Sequence, residues 1–241
     1  MTTSIASLFV NTDRYSLTAE AGQALQAEFA KQRCVKLQNF YQGTALELLQ
    51  QEVERLAEKA IRRNFQMTET HETPRRLSTL NGEVIDQYST LVPRLYQDPK
   101  VLTFLSAIVG EQLHNVTDPG ENYVLNILEQ QQDTHGAHID TYAYTLITVI
   151  KTPEQGAGGC LELVPNSDDP LAFDKYPEKI ISLCASPGDC ILLAANSSVH
   201  RVTPLIKPAR RVVIASALSN GHTLGQVSYS SEKLYGNTIP T

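Results

Sequence analysis

The sequence lacks the features of membrane proteins, secreted proteins and several enzyme classes. No apolar run approaches the ~20 residues that span a bilayer, and residues 1–10 have neither the basic start nor the long apolar core of a signal peptide. The four cysteines show no zinc-binding spacing, and no Gly-X-Ser-X-Gly or His-Glu-X-X-His motif occurs. We therefore expect a cytoplasmic protein that has no membrane partner, carries reduced and mostly buried thiols, and is not a hydrolase.

Concentrated positive charge is also missing. The formal net charge is −6, and lysine and arginine cluster only in short pairs such as Arg62-Arg63 and Arg75-Arg76. Binding to a phosphate backbone depends on many cations lying together. We therefore expect no nucleic-acid partner.

Length and composition favour one domain. The chain has 241 residues, of which 41% are hydrophobic, and this is enough for one sizeable core. Composition, periodicity and capping signals predict three helices, at residues 18–33, 44–65 and 98–109. We expect a single domain over residues 1–241 whose N-terminal part, residues 1–110, is helical.

The segment 66–90 interrupts those helices. It is polar, irregular and too long for an ordinary connector, which predicts an active-site lid or binding loop. The alternative interpretation is a solvent-exposed loop without a role in the site. Residues 111–218 are the predicted β core, and the Gly- and Ser-rich residues 219–241 are predicted to form a loosely held tail.

Short apolar runs separated by turn residues fill the predicted β core. They are rich in β-branched and aromatic residues, a composition that favours strands. The predicted strands lie near residues 111–116, 121–128, 141–150, 160–165, 180–184, 190–194 and 211–218.

Two histidines and an aspartate have the spacing of a metal site. His138 and Asp140 are two positions apart at the mouth of a predicted strand, and His200 follows on a later one. Alternate side chains of a strand share a face, so the first pair can reach one ion. Two imidazoles and one carboxylate on one face of an octahedron leave three positions open, as in non-haem Fe(II) oxygenases. We predict that all three are catalytic metal ligands, with hydrogen bonding in a polar pocket as the alternative.

Arg211 begins the last apolar run, and a buried arginine needs an anion. Its planar guanidinium suits a two-point salt bridge to a carboxylate better than a lysine would. Arg210 is the competitor, but strand alternation turns the two side chains to opposite faces. We predict Arg211 as the anchor of a dicarboxylate cosubstrate.

From Glu121 to Leu218 the chain resembles the Fe(II)/2-oxoglutarate-dependent oxygenase superfamily, which shows the order His-X-Asp, distal His, and Arg after ten intervening residues. More narrowly, DTHGAHIDTY at 133–142 and TPRR at 73–76 are similar to small free-amino-acid hydroxylases and radical amino-acid halogenases. The resemblance implies a mainly β fold with flanking α structure, in which N-terminal helices pack outside a double-stranded β-helix (jelly-roll, cupin-like) core. It also implies Fe(II), O2 and 2-oxoglutarate as cosubstrate.

The resemblance implies hydroxylation of an unactivated C–H bond in a small substrate, namely a free amino acid. Halogenases of this type leave Gly or Ala where this chain has Asp140, so a halide has no vacant site here. Three alternatives stay open: the same fold acting on a carrier-bound, peptidyl or lipid substrate; desaturation or cyclisation; and a non-catalytic protein that binds metal or a small acid. Nothing in the sequence indicates the oligomeric state.

Four residues are predicted to contact the substrate. The resemblance points to Arg75 rather than Arg76 as the partner of a substrate carboxylate, with a solvent-facing arginine as the alternative. Glu121 could meet an amine, and His135, on the loop before the metal ligand, could bind substrate or support the metal; a surface position is the alternative for both. Thr141, directly after the carboxylate ligand, is the fourth candidate.

The same comparison disfavours lysine as the substrate. Thr141 replaces an acidic residue of the lysine-specific relatives, and Ala215 and Ala217 replace polar residues expected on their last strand. We therefore expect an amino acid with a neutral or small side chain.

Overall fold

Helices are concentrated in the first 110 residues of the computed structural model, which describes residues 5–236. The α-helices are α1 (Ala6–Phe9), α2 (Ala19–Gln32), α3 (Gly43–Ala57), α4 (Gly82–Tyr88), α5 (Leu91–Tyr96), α6 (Pro99–Val109), α7 (Ala172–Lys175) and α8 (Ser230–Lys233). Two 3-10 turns lie at Thr68–Thr70 and Pro177–Lys179. No helix within residues 5–236 is both long and apolar enough to cross a membrane.

Strands run through the whole chain and pair antiparallel throughout. They are β1 (Cys34–Leu37), β2 (Ile61–Met67), β3 (Thr73–Leu80), β4 (His114–Asn115), β5 (Val124–Leu128), β6 (Thr134–His138), β7 (Tyr144–Lys151), β8 (Leu161–Pro165), β9 (Ile181–Leu183), β10 (Cys190–Leu193), β11 (Ser198–Val202) and β12 (Arg211–Ser219).

The strands form one curled sheet in the order β1-β10-β7-β12-β5-β3-β6-β11-β8-β9, while β2 pairs with β3 and β4 with β12. The two ends of the sheet approach each other, because Cys34 of β1 and Leu193 of β10 pack in one cluster with Leu163 of β8. A sheet that curls in this way encloses an interior lined from opposite sides. The mainly β fold with a β-helix core, predicted from the sequence, is confirmed.

Strand β12 shows how the two faces of the sheet divide. Val212 and Ile214 are buried in the large apolar cluster that also contains residues of α2, α3 and α6. Arg211 and Ala215, one step out of phase, line the interior cavity instead. Because successive side chains of a strand point to opposite faces, one strand supplies both the apolar outer face and the functional inner face.

Helices α2 and α6 cover the outer face in close contact. A β-carbon added to Gly22 of α2 would lie 2.4 Å from the carbonyl oxygen of Phe104, so only glycine allows this approach. The hydroxyl of Thr18 accepts a hydrogen bond from Ala21 N at the start of α2, and Gly110, with φ +82°, ends α6. The predicted outer position of the N-terminal helices is confirmed by this packing.

The prediction of an irregular lid over residues 66–90 is wrong. This segment contains the whole of β3, which pairs with β5 and β6 inside the sheet, and the whole of α4. The helix predicted to reach Phe65 ends at Ala57, and β2 follows. Two of the buried positions of β3 carry Arg75 and Thr79, so the strand lacks the apolar alternation on which the prediction depends.

The prediction of a loosely held tail is also wrong for residues 219–236. Leu234 is buried, its carbonyl accepts a hydrogen bond from Thr79 Oγ1 at 3.0 Å, and Ser231 Oγ donates to Asp118 Oδ2 at 2.7 Å. This segment therefore closes one side of the interior. Residues 237–241 of the predicted tail lie outside the described residues.

The division of β12 into two faces predicts how far a substitution on its outer face lowers the free energy of unfolding, compared with a substitution at an exposed position. Ile214→Ala should lower the free energy of unfolding by ~2–5 kcal/mol, because it leaves a cavity against the helices. Ile206→Ala is the control, since that side chain is 60% exposed. Urea denaturation followed by circular dichroism measures both, and equal losses would contradict the orientation of β12.

Candidate metal centre

His138, Asp140 and His200 lie together at one end of the curled sheet. His138 ends β6, and His200 lies directly opposite it on β11. Asp140 follows β6, with its Oδ1 at 3.5 Å from His138 Nε2 and 3.6 Å from His200 Nε2. One ligand atom from each of the three residues lies within 4.8 Å of the others. The fold therefore brings the three predicted ligands close enough together to bind one metal ion.

Backbone carbonyls fix both imidazole rings. His138 Nδ1 donates to Gly136 O at 2.7 Å, and His200 Nδ1 donates to Ser198 O at 3.0 Å. These bonds leave each Nε2 as the unprotonated nitrogen that binds a metal. Burial, followed by the charges of neighbouring His135 and His200, lowers the pKa of His138 well below its usual range. His138 is therefore neutral at neutral pH, as a ligand must be.

Asp140 supplies the anion. Burial alone would raise the pKa of its carboxyl, but His200, His138 and the hydroxyl of Thr145 outweigh it and lower the pKa to about 2. Thr145 Oγ1 donates to Oδ2 at 2.7 Å, which leaves Oδ1 directed at the two histidines. Two imidazoles and one carboxylate are a donor set that suits Fe(II) with open coordination positions.

His135 lies on β6, whereas the sequence predicted it on a loop. Its ring stacks on that of His138, with centroids 4.2 Å apart and an interplanar angle of 17°. Its Nε2 is buried and has no hydrogen-bond partner among the described residues. Burial lowers its pKa well below the usual range, so the ring presents a neutral, unpartnered nitrogen beside the metal site.

Arg75 is buried within β3 behind the histidines, so the solvent-facing alternative does not describe it. Its Nη1 donates to Thr73 Oγ1 at 3.0 Å and to Gly136 O at 3.3 Å, the same carbonyl that orients His138. Its Nε is buried and unpartnered among residues 5–236. Arg76, the alternative candidate, is exposed on the other face of the strand.

The interior cavity extends from the triad to Arg211. Arg211 is buried, and within residues 5–236 it forms no ion pair with a carboxylate. Burial lowers its pKa to about 10, which still leaves it charged at neutral pH. Arg210 instead pairs with Glu54 at 2.6 Å and Glu129 at 3.0 Å on the outside. The two arginines thus face opposite ways, and Arg211 is the one that lines the cavity with His200.

A second cavity also reaches His138 and Asp140, and it contains Glu121 and Thr141. Glu121 lies in a turn before β5 and is buried, with its Oε1 unpartnered among the described residues. Burial raises its pKa to about 8, although a hydrogen bond with Ser228 partly offsets this. Ala215 and Ala217 add apolar surface to the same cavity. This carboxyl is therefore mostly protonated at neutral pH, and a positively charged ligand beside it would favour its ionised form.

Sequence reasoning missed several residues of this second cavity. Tyr142, Ser228, Ser230 and Tyr235 all line it. Asn81 Nδ2 donates to Tyr235 O at 2.8 Å, and Tyr229 OH donates to Ile139 O at 2.5 Å, which ties the C-terminal segment to the site. No periodicity or motif marks this segment, so no signal in the sequence points to it. Thr145 lies on the predicted strand after Asp140, but its odd separation of five from Asp140 means that strand alternation does not predict their hydrogen bond.

Solved structures share this architecture at low sequence identity. SnoK, a non-heme alpha ketoglutarate dependent carbocyclase from nogalamycin biosynthesis, matches with a TM-score of 0.65 and 14% identity over 84% of this chain and 86% of its own. EctD from S. alaskensis, solved with 2-oxoglutarate and 5-hydroxyectoine, matches with a TM-score of 0.63 and 15% identity over 89% and 81%. At such identities the likeness shows the fold. A search of curated protein sequences found no match.

A family model covers nearly the whole chain. The model described as Halogenase D matches residues 17–235, a range that includes both cavities, the triad and Arg211. The match supports the family part of the resemblance seen in the sequence, and by this match the chain belongs to the Halogenase D family.

Proposed function

We propose that this protein is an Fe(II)/2-oxoglutarate-dependent dioxygenase that hydroxylates an unactivated C–H bond of a free amino acid. The observation that carries the proposal is a buried cation without a carboxylate partner in the same cavity as a metal triad. Arg211 and His200 line that cavity together, and no carboxylate of residues 5–236 pairs with Arg211. A buried charge is costly unless an opposite charge accompanies it, so a ligand must supply the anion.

The triad would hold the iron, and Arg211 would hold the far carboxylate of 2-oxoglutarate. Iron, together with 2-oxoglutarate and O2, would supply the oxidant that removes hydrogen from a C–H bond. The chain's own groups bind and orient: neutral histidine nitrogens and one anionic oxygen face the ion, and the guanidinium forms a two-point salt bridge. SnoN, a neighbour with a TM-score of 0.61 and 14% identity, was solved with Fe3+ and alpha ketoglutarate, which is consistent with this arrangement.

Asp140 favours hydroxylation over halogenation, although the family is named for halogenases. Its carboxylate occupies the third ligand position, with Oδ1 within 3.6 Å of both histidine nitrogens. A halide would have to displace this side chain, which Thr145 holds by a hydrogen bond. The proposed product is therefore an alcohol.

The second cavity supports a small amino acid as the substrate. Glu121 presents a buried, unpartnered oxygen for an ammonium group, and His135 presents an unpartnered nitrogen beside the metal ligand. Arg75, with its free Nε, is the proposed partner of the carboxylate. Thr141, Ala215 and Ala217 add no charge, which favours a neutral side chain. The C-terminal segment closes this side of the site, and a carrier-bound or peptidyl substrate would need an open groove there.

Removal of the anionic ligand tests the metal assignment. Asp140→Ala should reduce substrate-dependent succinate formation by more than ~100-fold, because the loss of even an outer supporting group of a metal site costs about 10–100-fold. The fold should survive, since the residue lies at the end of the sheet and not in an apolar cluster. Asp13→Ala, at an exposed position, is the matched control. Wild-type succinate and alcohol yields from Asp140→Ala would rule out this triad as the iron site.

The two adjacent arginines allow a direct test of the cosubstrate anchor. Arg211→Ala should weaken 2-oxoglutarate binding by ~3–5 kcal/mol, the cost of breaking a buried charge pair, which exceeds a hundredfold in Kd. Arg210→Ala removes surface ion pairs, each worth about 0–1 kcal/mol, and should leave this Kd nearly unchanged. Calorimetry with Mn(II) in place of Fe(II) measures both values. The opposite ranking would show that Arg210 holds the cosubstrate.

A substrate panel tests the proposed amino-acid specificity. Succinate release with each of the twenty amino acids and ornithine should be strongest for an amino acid with a neutral or small side chain. Arg75→Ala should raise the KM for that substrate, whereas Arg76→Ala should not, because Arg76 is exposed. Strong turnover of lysine would contradict the side-chain argument. Turnover of no free amino acid would favour a carrier-bound or peptidyl substrate.

A further inference from the structure

Two of the four cysteines lie against each other at one edge of the sheet. The Sγ atoms of Cys160 and Cys184 are 3.6 Å apart. Strands β8 and β9 pair Leu161 with Leu183, so Cys160 and Cys184 are opposite each other one step beyond the last paired residues. The other two thiols, Cys34 and Cys190, are buried elsewhere, and Cys190 Sγ contacts the hydroxyl of Thr148 instead.

The position of the pair suits a disulfide. Residues directly opposite in antiparallel strands have Cα atoms about 4.5–5.5 Å apart. A disulfide spans Cα separations of about 4.4–6.8 Å. The bridge therefore needs a movement of the two cysteines toward each other and no change in the pairing of the strands.

The pair is also accessible. Cys184 is exposed, and Cys160 is half-buried. Both line a cavity of about 320 Å³ that lies beside the glycine-rich segment 155–159. Solvent exposure and a second thiol in contact are two features of reversible redox sites.

This cavity adjoins the one that contains the metal triad. Arg211 and Leu161 line both of them. A β-carbon added to Gly159 would lie 3.4 Å from Arg211 Cδ, so the backbone just before Cys160 packs against the Arg211 side chain. Cys160 is also the ionisable neighbour that affects the pKa of Arg211. A movement of Cys160 would therefore change the packing around the Arg211 side chain.

We propose that Cys160 and Cys184 form a redox modification site, in which oxidation by a hydroperoxide produces a disulfide that weakens 2-oxoglutarate binding at Arg211. The first part stands on the thiol geometry alone. The second part rests on the proposed function, because it takes Arg211 as the anchor of the cosubstrate.

The chemistry balances with hydrogen peroxide as the oxidant. The exposed Cys184 thiolate attacks one peroxide oxygen, which breaks the O–O bond, forms a sulfenic acid and releases water after protonation. The Cys160 sulfur then displaces the hydroxyl from the sulfenic sulfur, and the second water leaves. Two thiols lose two electrons and two protons in total, and the peroxide accepts them. A dithiol reductant reverses the step.

The expected effect follows from the length of the new bond. The sulfurs must approach from 3.6 Å to about 2.05 Å, which draws Cys160 and the adjacent Gly159 toward β9. Because the Gly159 backbone packs on Arg211, its support of the guanidinium changes. We expect 2-oxoglutarate binding to weaken about tenfold, since a misplacement of ~1 Å in a positioning group has large effects.

Peptide mapping after peroxide treatment of the whole protein tests the disulfide. The expected result is a peptide pair that links Cys160 to Cys184 and disappears with dithiothreitol, while Cys34 and Cys190 stay reduced as internal references. Cys184→Ser is the matched variant and should form no link. If Cys160 and Cys184 both remain free thiols, or are oxidised only irreversibly, the redox site is refuted whatever the protein's activity.

Calorimetry with 2-oxoglutarate and Mn(II), which peroxide does not consume as it would Fe(II), tests the consequence. The expected result is a Kd about tenfold higher for oxidised than for reduced wild type, restored by dithiothreitol, and no change in peroxide-treated Cys184→Ser. A disulfide that leaves the Kd unchanged overturns the coupling to Arg211. If neither redox state binds 2-oxoglutarate, the proposed function and the coupling both fail, and the peptide map alone decides the disulfide.

Discussion

Charge buried inside the curled sheet is the constraint on which the rest of this structure depends. A carboxylate or guanidinium removed from water costs several kcal/mol unless an opposite charge or hydrogen bonds compensate it. Asp140 is compensated by two histidines and a threonine hydroxyl, whereas within residues 5–236 Arg211 forms no ion pair and the Oε1 atom of Glu121 has no hydrogen-bond partner. The two groups lie in different cavities, which share His138 and Asp140. The interior thus has a cationic side chain in one cavity and an acidic side chain in the other, and both cavities reach the triad.

Strand alternation lets the fold carry that polar interior. In β12 the outward residues Val212 and Ile214 join the apolar cluster under the helices, while Arg211 and Ala215 face inward. Burial of the outer face contributes roughly 25 cal/mol per Å² of apolar surface, which offsets the cost of the charged inner face. Because the two faces belong to the same strand, the packing of the outer face also holds the inward residues in place. The polarity of the inward residues can therefore differ without a change in the residues that pack against the helices.

The sequence predicted the parts of the site that short-range spacing determines. His138 and Asp140 lie together as predicted from their separation by two, although His138 ends β6 and Asp140 lies beyond it instead of opening the next strand. Arg211 faces inward and Arg210 outward, as alternation predicts. Sequence reasoning missed β3 and the C-terminal segment, because their places depend on long-range pairing that leaves no local period. In β3 the buried positions 75 and 79 carry Arg75 and Thr79, so the apolar alternation that identifies a strand is incomplete there.

Membership of the Halogenase D family does not by itself decide which atom is transferred to the substrate. The imidazole rings are held by backbone carbonyls of Gly136 and Ser198, and these bonds do not depend on the residue at position 140. The same framework can therefore present either a carboxylate or an open position to the metal without any change of fold. Here the position carries Asp140, and Thr145 fixes its orientation. On the proposed function, the difference between the two chemistries would then lie in one side chain and its hydrogen-bond partner, while the residues that line the two cavities stay the same.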